Sequence, residues 1–152
     1  MIMTLNDVLT KQNVITKVIL QNGEKELSKE TKVKIMRVRM SYNKVKKQFD
    51  ADTQEFTEQL VTDELKELAN KQDRTEAEDN KFNELSAKVD NEYREYLIQK
   101  GTEEITEPIN DKFTEEEYSD IVDINSGNDV EINGNQIKAV DFLEIFYDLF
   151  VA

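Results

Sequence analysis

The chain of 152 residues contains no cysteine, no histidine and no tryptophan, and it has only one proline and four glycines. Without thiol and imidazole groups, the sequence excludes cysteine or histidine catalysis, disulfides and zinc sites with sulfur or nitrogen ligands. Carboxylates or lysines alone could still form a site, but among 33 acidic residues no carboxylate pair stands out. Glycine-rich phosphate loops are also missing. We therefore expect a protein without enzymatic activity and without a cofactor.

Long hydrophobic runs are missing too. No apolar stretch approaches the roughly 18 residues that cross a membrane, and residues 1–7 lack the basic and apolar regions of a secretory leader. We expect no membrane contact. Charged residues make up 35% of the chain and hydrophobic residues 38%, a balance that favours a helical body with narrow apolar seams over a compact globule.

The first 21 residues predict a short helix over 5–21. Thr4 followed by Asp7 is typical of a capping box, in which each side chain accepts the other residue's backbone amide. Asn22 and Gly23 then provide a stop in the left-handed conformation. Spacings of three and four place the apolar residues of this helix on one face: Leu5, Val8, Ile15 and Ile19.

Two longer helices are predicted at 29–71 and 75–101. Apolar residues continue through the first at spacings of three and four, with a kink or a new cap expected at 50–53. Thr75 and Glu78 form a capping box for the second. Because helices of this length need a partner for their apolar stripe and the link between them is short, we predict a long antiparallel helical hairpin.

The last third of the chain changes character. Residues 102–110 are acidic and contain the proline, which is typical of a linker. A single helical turn capped by Thr114 is predicted next, then short strands, then a closing helix over 140–150. The expected fold is mainly α, with a helical domain over 1–101, the linker, and a small α/β subdomain over 111–152. The predicted strands are 120–124, 129–132 and 136–138.

The closing helix is the most apolar element of the sequence. A helix with apolar residues over so much of its circumference must be buried on more than one side. Either the small β-containing end of the same chain covers it, or part of it docks on another subunit. Leaving three phenylalanine rings in water would forgo on the order of 10 kcal/mol. The residues assigned to docking are Phe142, Leu143, Phe146, Leu149 and Phe150.

Charge is strongly segregated along the chain. The first 47 residues carry eleven basic and four acidic side chains, a net charge of +7, whereas the remainder carries −20. The basic face of the second helix, which includes Arg37 and Arg39, could contact an acidic protein partner or nucleic-acid phosphates. It could equally face the chain's own acidic half or simply solvate the helix. Because no aromatic residues are interleaved with these cations and the net charge is −13, no direct contact with nucleic acid is expected.

The acidic residues allow two other interpretations. Segment 123–131 has oxygen-bearing side chains at alternate positions, as in the first half of a calcium loop, but glycine stands at its fifth position. A turn rich in Asn, Gly and Asp produces the same letters, and no metal is assigned. The acidic excess could also make the protein a mimic of DNA that occupies a DNA-binding surface.

The order of these parts resembles that of small helical virion or virion-assembly proteins of tailed bacteriophages. The resemblance rests on the opening helix at 4–9, the long charged helix pair, the acidic strand at 129–133, and the final helix that begins at 140–143 and carries Phe146. The final helix is more aromatic than in that family. The resemblance implies a component of the virion or of its assembly, made in the host cytoplasm and without catalytic activity.

We therefore expect a structural protein whose hairpin acts as a spacer or clamp and whose ends dock on larger phage structural proteins, in the tail or the head–tail region. Docking is assigned to the closing helix, the apolar face of the first helix and the basic face of the second. Multiple copies in a symmetric assembly are compatible with this role. The alternatives are an assembly chaperone absent from the mature particle and an acidic DNA mimic that inhibits a host DNA-binding protein.

Overall fold

The structure is a computed structural model that describes residues 1–109 and 112–152. It is mainly α, as predicted, and short antiparallel strand pairs accompany the helices. The chain divides into two compact units. The terminal unit comprises Met1–Lys46 and Glu104–Ala152, and the hairpin unit comprises Lys47–Glu103.

The terminal unit is built from helices α1 (Leu5–Lys17), α5 (Glu115–Asn125) and α6 (Ala139–Phe150), and from α2 (Lys29–Leu60) as far as Lys46. α1 begins at the predicted capping box: the Thr4 hydroxyl accepts the Asp7 amide, and the Asp7 carboxylate accepts the Thr4 amide. The same arrangement starts α5 at Thr114 and Glu117. Local side-chain chemistry therefore fixes where both helices begin.

Strands in the described part of this unit form three antiparallel pairs. β1 (Ile2–Thr4) pairs with β4 (Glu104–Thr106), β2 (Gln21–Asn22) with β3 (Lys25–Glu26), and β5 (Val130–Ile132) with β6 (Asn135–Ile137). The β5–β6 turn uses Asn133 and Gly134, both with positive φ, as the Asn-Gly pair predicts. The β1–β4 pair joins segments about a hundred residues apart in the chain.

The core of the terminal unit is formed by the inner faces of its helices. α2 contributes Ile35, Val38 and Tyr42, α1 contributes Val8 and Ile15, and each of these side chains is at most 1% exposed. α5 and α6 complete the same cluster with aliphatic and aromatic residues. Segments from both ends of the chain therefore share one apolar core.

The hairpin unit consists of α2 from Lys47 onward, α3 (Asp63–Asn70) and α4 (Glu76–Gly101). The Phe56 ring stacks on the Tyr96 ring with centroids 4.2 Å apart, and the Lys100 ammonium lies 3.4 Å from the Asp52 carboxylate. From Asp52 to Phe56 along α2, the contacting residue in α4 moves back from Lys100 to Tyr96. The two helices are therefore antiparallel. The predicted helical hairpin is confirmed.

Two predicted helix bounds differ from the structure. The first helix ends at Lys17 and not at residue 21, because residues 21–26 form the β2–β3 hairpin. The long second segment breaks at 61–62 and not at 50–53. At the break, the Thr62 hydroxyl accepts the Leu65 amide at 3.2 Å and starts α3 as a new capped helix.

The predictions for the last third need two corrections. The strand predicted at 120–124 is wrong, because these residues belong to α5. The predicted linker 102–110 contains β4, while its last residue and the start of the predicted subdomain at 111 lie outside the described residues. The division into units also differs from the predicted 1–101 and 111–152, because the first 46 residues share a core with the C-terminal segment.

Candidate protein-interaction surface

The apolar residues assigned to docking lie inside the terminal unit. Ile19 and Leu149 are partly buried and pack against the core, and the others are at most 5% exposed. A side chain in this position makes no contact with a partner unless the unit opens. The buried members are Leu5, Val8, Ile15, Phe142, Leu143, Phe146 and Phe150.

The closing helix α6 is covered by other parts of its own chain. The ring of Phe113 lies 5.4 Å from that of Phe146 between centroids, and the Phe113 amide donates to the Phe150 carbonyl at 2.9 Å. The Tyr42 ring of α2 meets the Phe150 ring edge to face. The sequence left open whether the small β-containing end of the same chain covers α6 or another subunit does. The structure shows cover by the same chain, and it comes mainly from helices.

The two arginines assigned to the basic face have different surroundings. The Arg39 guanidinium points inward, where its Nε donates to the Ile15 carbonyl at 2.9 Å and its Nη2 donates to the Val18 carbonyl. These bonds satisfy carbonyls at the end of α1. Burial lowers the pKa of Arg39. Arg37, by contrast, is exposed on the outer face of α2. Arg39 therefore serves inside the terminal unit and not on the basic face.

Part of the basic face meets the chain's own acidic residues, as one of the predicted alternatives requires. The Lys34 ammonium lies 2.9 Å from the Glu117 carboxylate and 4.9 Å from the centroid of the Phe113 ring. Burial raises the pKa of the Glu117 carboxyl, but the Thr114 amide and the Lys34 ammonium outweigh burial and hold that pKa below its usual value. Lys34 therefore stabilises the contact between α2 and the start of α5.

The outer face of α2 carries an apolar stripe of large side chains that are about half exposed. Val33, Met36 and Met40 are 46%, 51% and 63% exposed. Their spacing of three and four places them on one side of the helix, opposite the buried face of Ile35, Val38 and Tyr42. Exposed cations border them, with Glu30 at one edge. We call this surface the methionine stripe, and its residues are Lys29, Val33, Met36, Arg37, Met40 and Lys44.

Sequence reasoning missed the methionine stripe because α2 has two apolar faces. The seam at Ile35, Val38 and Tyr42 has the spacing of a buried helix face and by itself accounts for a helix with one apolar side. The second series, Val33, Met36 and Met40, has the same spacing and was available in the sequence. An additional apolar series on an otherwise charged helix was the signal that could have found it.

A second exposed apolar feature is a groove between α5 and α6, with a volume of about 340 Å³. Val140 stands 69% exposed at its rim, and the rings of Tyr118 and Tyr147 meet edge to face with centroids 4.9 Å apart. The Tyr118 hydroxyl donates to the Leu143 carbonyl at 2.9 Å and so braces α5 against α6. We call it the α5–α6 groove, and its lining residues are Tyr118, Val122, Ser126, Val140, Leu143, Glu144 and Tyr147.

The surroundings of the α5–α6 groove are acidic. Burial raises the pKa of the Tyr118 phenol, and the negative charges of three nearby carboxylates raise it further. The carboxylates belong to Glu115, Glu144 and Asp148. The Tyr147 hydroxyl donates a hydrogen bond to the Glu115 carboxylate, which raises the pKa of Tyr147 as well. The groove therefore combines an apolar lining with a negative rim.

The described residues, 1–109 and 112–152, also bear on metal binding and on membrane insertion. No group of three or more acidic residues in these ranges is placed to hold a metal ion. In the segment that resembles a calcium loop, the Asn125 side chain binds the backbone of Ile19 and Ile121, and the Asp129 carboxylate accepts the Ala139 amide. None of the described helices is long and apolar enough to span a membrane.

Comparisons with protein-family models, with curated proteins and with solved structures found no match to this chain. We therefore infer the function from the geometry of the chain itself. In the described part of the terminal unit, the methionine stripe and the α5–α6 groove each combine exposed apolar groups with neighbouring charge.

Proposed function

We propose that this chain is a non-enzymatic structural protein of a tailed-phage particle, held in place by docking of its methionine stripe on an acidic, partly apolar surface. The observation that carries the proposal is the exposure of Val33, Met36 and Met40 on a rigid helix whose opposite face is fully buried. The backbone of such a helix is already folded, so binding costs no free energy for ordering it. Its exposed side chains act as anchors at fixed positions.

The chemistry of the stripe defines its partner. Methionine side chains are flexible and polarisable, and they fill irregular apolar pockets that branched side chains do not fit. Full burial of an exposed apolar side chain contributes about 1.5–3 kcal/mol. Because these three side chains are about half exposed, docking recovers about half of that for each of them. Lys29 and Lys44 are exposed at the two ends of the stripe and favour carboxylates on the partner.

The assignment to a phage particle depends on the resemblance in layout. The opening helix at Leu5–Lys17, the hairpin of α2 with α4 and the closing helix at Ala139–Phe150 keep the order on which that resemblance was based. In this proposal the protein is made in the host cytoplasm and becomes part of the virion. Its partners are phage structural proteins, with no role for nucleic acid or membrane.

The proposal is tested by quantitative mass spectrometry of particles purified from the phage that encodes the chain. We expect the wild-type chain at a fixed ratio to the other structural proteins. Met36→Glu with Met40→Glu places two charges in the docking surface, and occupancy of this variant is expected to fall at least about tenfold. The matched control is Ile98→Glu in the hairpin unit, which changes a side chain 62% exposed and leaves the stripe intact.

Each alternative has its own outcome in this experiment. If the wild-type chain is bound to structural proteins in infected cells but absent from particles, it is an assembly chaperone and the virion assignment is overturned. If it is absent from both and binds a host DNA-binding protein in a salt-sensitive manner, it is a DNA mimic. The variant Met36→Glu with Met40→Glu is first checked for normal folding by circular dichroism. If it is then present in particles at the same ratio as the wild-type chain, docking by the stripe is overturned.

A further inference from the structure

We infer that the partner of the methionine stripe is the α5–α6 groove of a second copy of this chain. The inference rests on the proposed function in that it names the partner of the same stripe. Both surfaces belong to the terminal unit, and each has the features that the other lacks. One is a convex row of flexible side chains among cations, and the other is a concave apolar groove among carboxylates.

Charge complementarity is the first argument. α5 contains five carboxylates and no cation, and α6 contains three carboxylates and no cation. The part of α2 in the terminal unit, residues 29–46, contains seven cations and only Glu30 as an acid. Surfaces of such opposite charge attract one another and repel their own kind, so stripe-to-groove contact is favoured over stripe-to-stripe contact.

Shape is the second argument. The groove has a volume of about 340 Å³, which is room for methionine side chains entering from above, and its lining presents Val122, Val140 and the rings of two tyrosines. Methionine sulfur makes favourable contacts with aromatic rings, and Tyr118 and Tyr147 supply such rings. Met36 and Met40 lie one helical turn apart on the stripe and are the side chains we assign to the groove.

The contact has to be made between copies. The stripe points away from the core of its own unit, because the opposite side of α2 holds the buried residues Ile35, Val38 and Tyr42. Its side chains therefore do not reach the groove between α5 and α6 of the same chain. A two-fold dimer makes this contact twice, with each stripe in the other copy's groove. A heterologous arrangement makes it once for each pair of neighbours, and it builds a ring when the rotation closes and a filament when it does not.

The first experiment measures self-association of the purified full-length chain by sedimentation velocity over a range of concentrations. A groove that takes two side chains is smaller than a standard interface of about 800 Å² per partner, so we expect weak association, visible at tens of micromolar and above. The weight-average mass of the wild type is expected to rise above the 17.7 kDa of one chain. A wild type that stays at this mass at every concentration overturns the inference.

Three variants locate the contact. Met36→Glu with Met40→Glu disables the stripe, and Val140→Lys with Glu144→Lys disables the groove at exposed positions. Each is expected to remain at one chain's mass at concentrations where the wild type associates. The control Ile98→Glu is expected to associate like the wild type. Association of either double variant at wild-type strength contradicts the inference.

The second experiment mixes the two double variants. The stripe variant keeps an intact groove and the groove variant keeps an intact stripe, so the mixture is expected to form a one-to-one dimer and nothing larger. A mixture that stays monomeric, although both variants are folded by circular dichroism and the wild type associates, overturns the pairing of stripe with groove. Formation of the dimer by the mixture separates pairing of stripe with groove from pairing of either surface with its own kind.

Failure of this inference is distinguishable from failure of the proposed function. If the purified wild type is monomeric but the stripe variant is lost from particles, the stripe docks on a different subunit and only the self-association is overturned. If the wild type associates through the stripe and groove but is absent from particles, the virion assignment is overturned and the self-association stands.

Discussion

Tyr42 in α2 and Phe150 at the end of α6 meet edge to face, with their ring centroids 6.1 Å apart. The contact joins residues more than a hundred positions apart, and both side chains are at most 4% exposed. Edge-to-face packing places the positive edge of one ring against the negative face of the other. The pair explains why α6 is not free to dock on a partner. Tyr42 lies on the buried face of α2 and packs against the end of α6, while the methionine stripe lies on the opposite face of α2.

Replacing Phe150 with alanine is expected to destabilise the terminal unit by about 3–5 kcal/mol, because a buried ring that contacts three other aromatic side chains is lost and a cavity remains. Urea unfolding followed by circular dichroism measures the change. Phe150→Leu retains most of the volume and serves as the control, with an expected loss below about 1.5 kcal/mol. Equal effects of the two substitutions would contradict the account of this contact.

Asn125 in α5 is one of the few buried polar residues, and it fastens α5 to the chain that follows α1. Its Oδ1 accepts the Ile19 amide at 2.9 Å, and its Nδ2 donates to the carbonyls of Ile19 and Ile121. Asn125→Leu leaves the Ile19 backbone groups without these partners and is expected to reduce the free energy of unfolding by about 2 kcal/mol. Ser126→Ala, at the neighbouring exposed position, is the control. An equally large loss of unfolding free energy in this variant would show that the Asn125 hydrogen bonds are not the cause.

The pair of Lys34 and Glu117 predicts a pH dependence of stability. Because the folded protein holds the pKa of Glu117 below its usual value of 4.5, this carboxylate stabilises the fold above that value, and the contribution is lost as the pH falls through the folded pKa. We expect Glu117→Gln to be less stable than the wild type at pH 7, with the difference shrinking below pH 4.5. Unfolding curves at several pH values measure this, and a difference that is independent of pH would rule out the ion pair as its cause.

In the hairpin unit, the stacked pair of Phe56 and Tyr96 is the main aromatic contact between α2 and α4. Tyr96→Ala is expected to lower the opening free energy of amides in α4 by about 2 kcal/mol, because stacking and partial burial are lost together. Native-state hydrogen exchange measures the change residue by residue. Tyr93→Ala, at a more exposed position of the same helix, should change it little. Protection in α4 that is unaffected by Tyr96→Ala would show that the stack does not hold the two helices.

The parts of the fold that the sequence could predict are those fixed by neighbouring residues. Thr4 with Asp7 and Thr75 with Glu78 identify the starts of α1 and α4, because a capping box needs only residues three apart. At α5 the same signal at Thr114 located the start, but the apolar residues from 120 to 124 were interpreted as a strand. The cap and the spacing of Tyr118, Ile121 and Ile124 favour the helix that forms.

The parts that could not be predicted depend on residues far apart in the chain. Nothing local indicates that Met3 lies opposite Ile105 in the β1–β4 pair, or that Tyr42 covers Phe150. The need to cover α6 was visible in its aromatic residues, but the covering residues were not. Without knowledge of these covering residues, the sequence predicts exposed apolar residues on α6 and α1. In the structure, the exposed apolar stripe lies on α2.

The methionine stripe, we infer, contacts the α5–α6 groove of a second copy of this chain. Carbodiimide coupling joins a lysine directly to a carboxylate in contact with it, and a mixture of ¹⁴N- and ¹⁵N-labelled chains separates coupling between copies from coupling within one. We expect mixed-isotope peptides that join Lys29 or Lys44 to a carboxylate of α5 or α6, and we expect these to disappear with Met36→Glu and Met40→Glu. Coupling of these lysines only within single chains, at concentrations where the wild type associates, would contradict the claim.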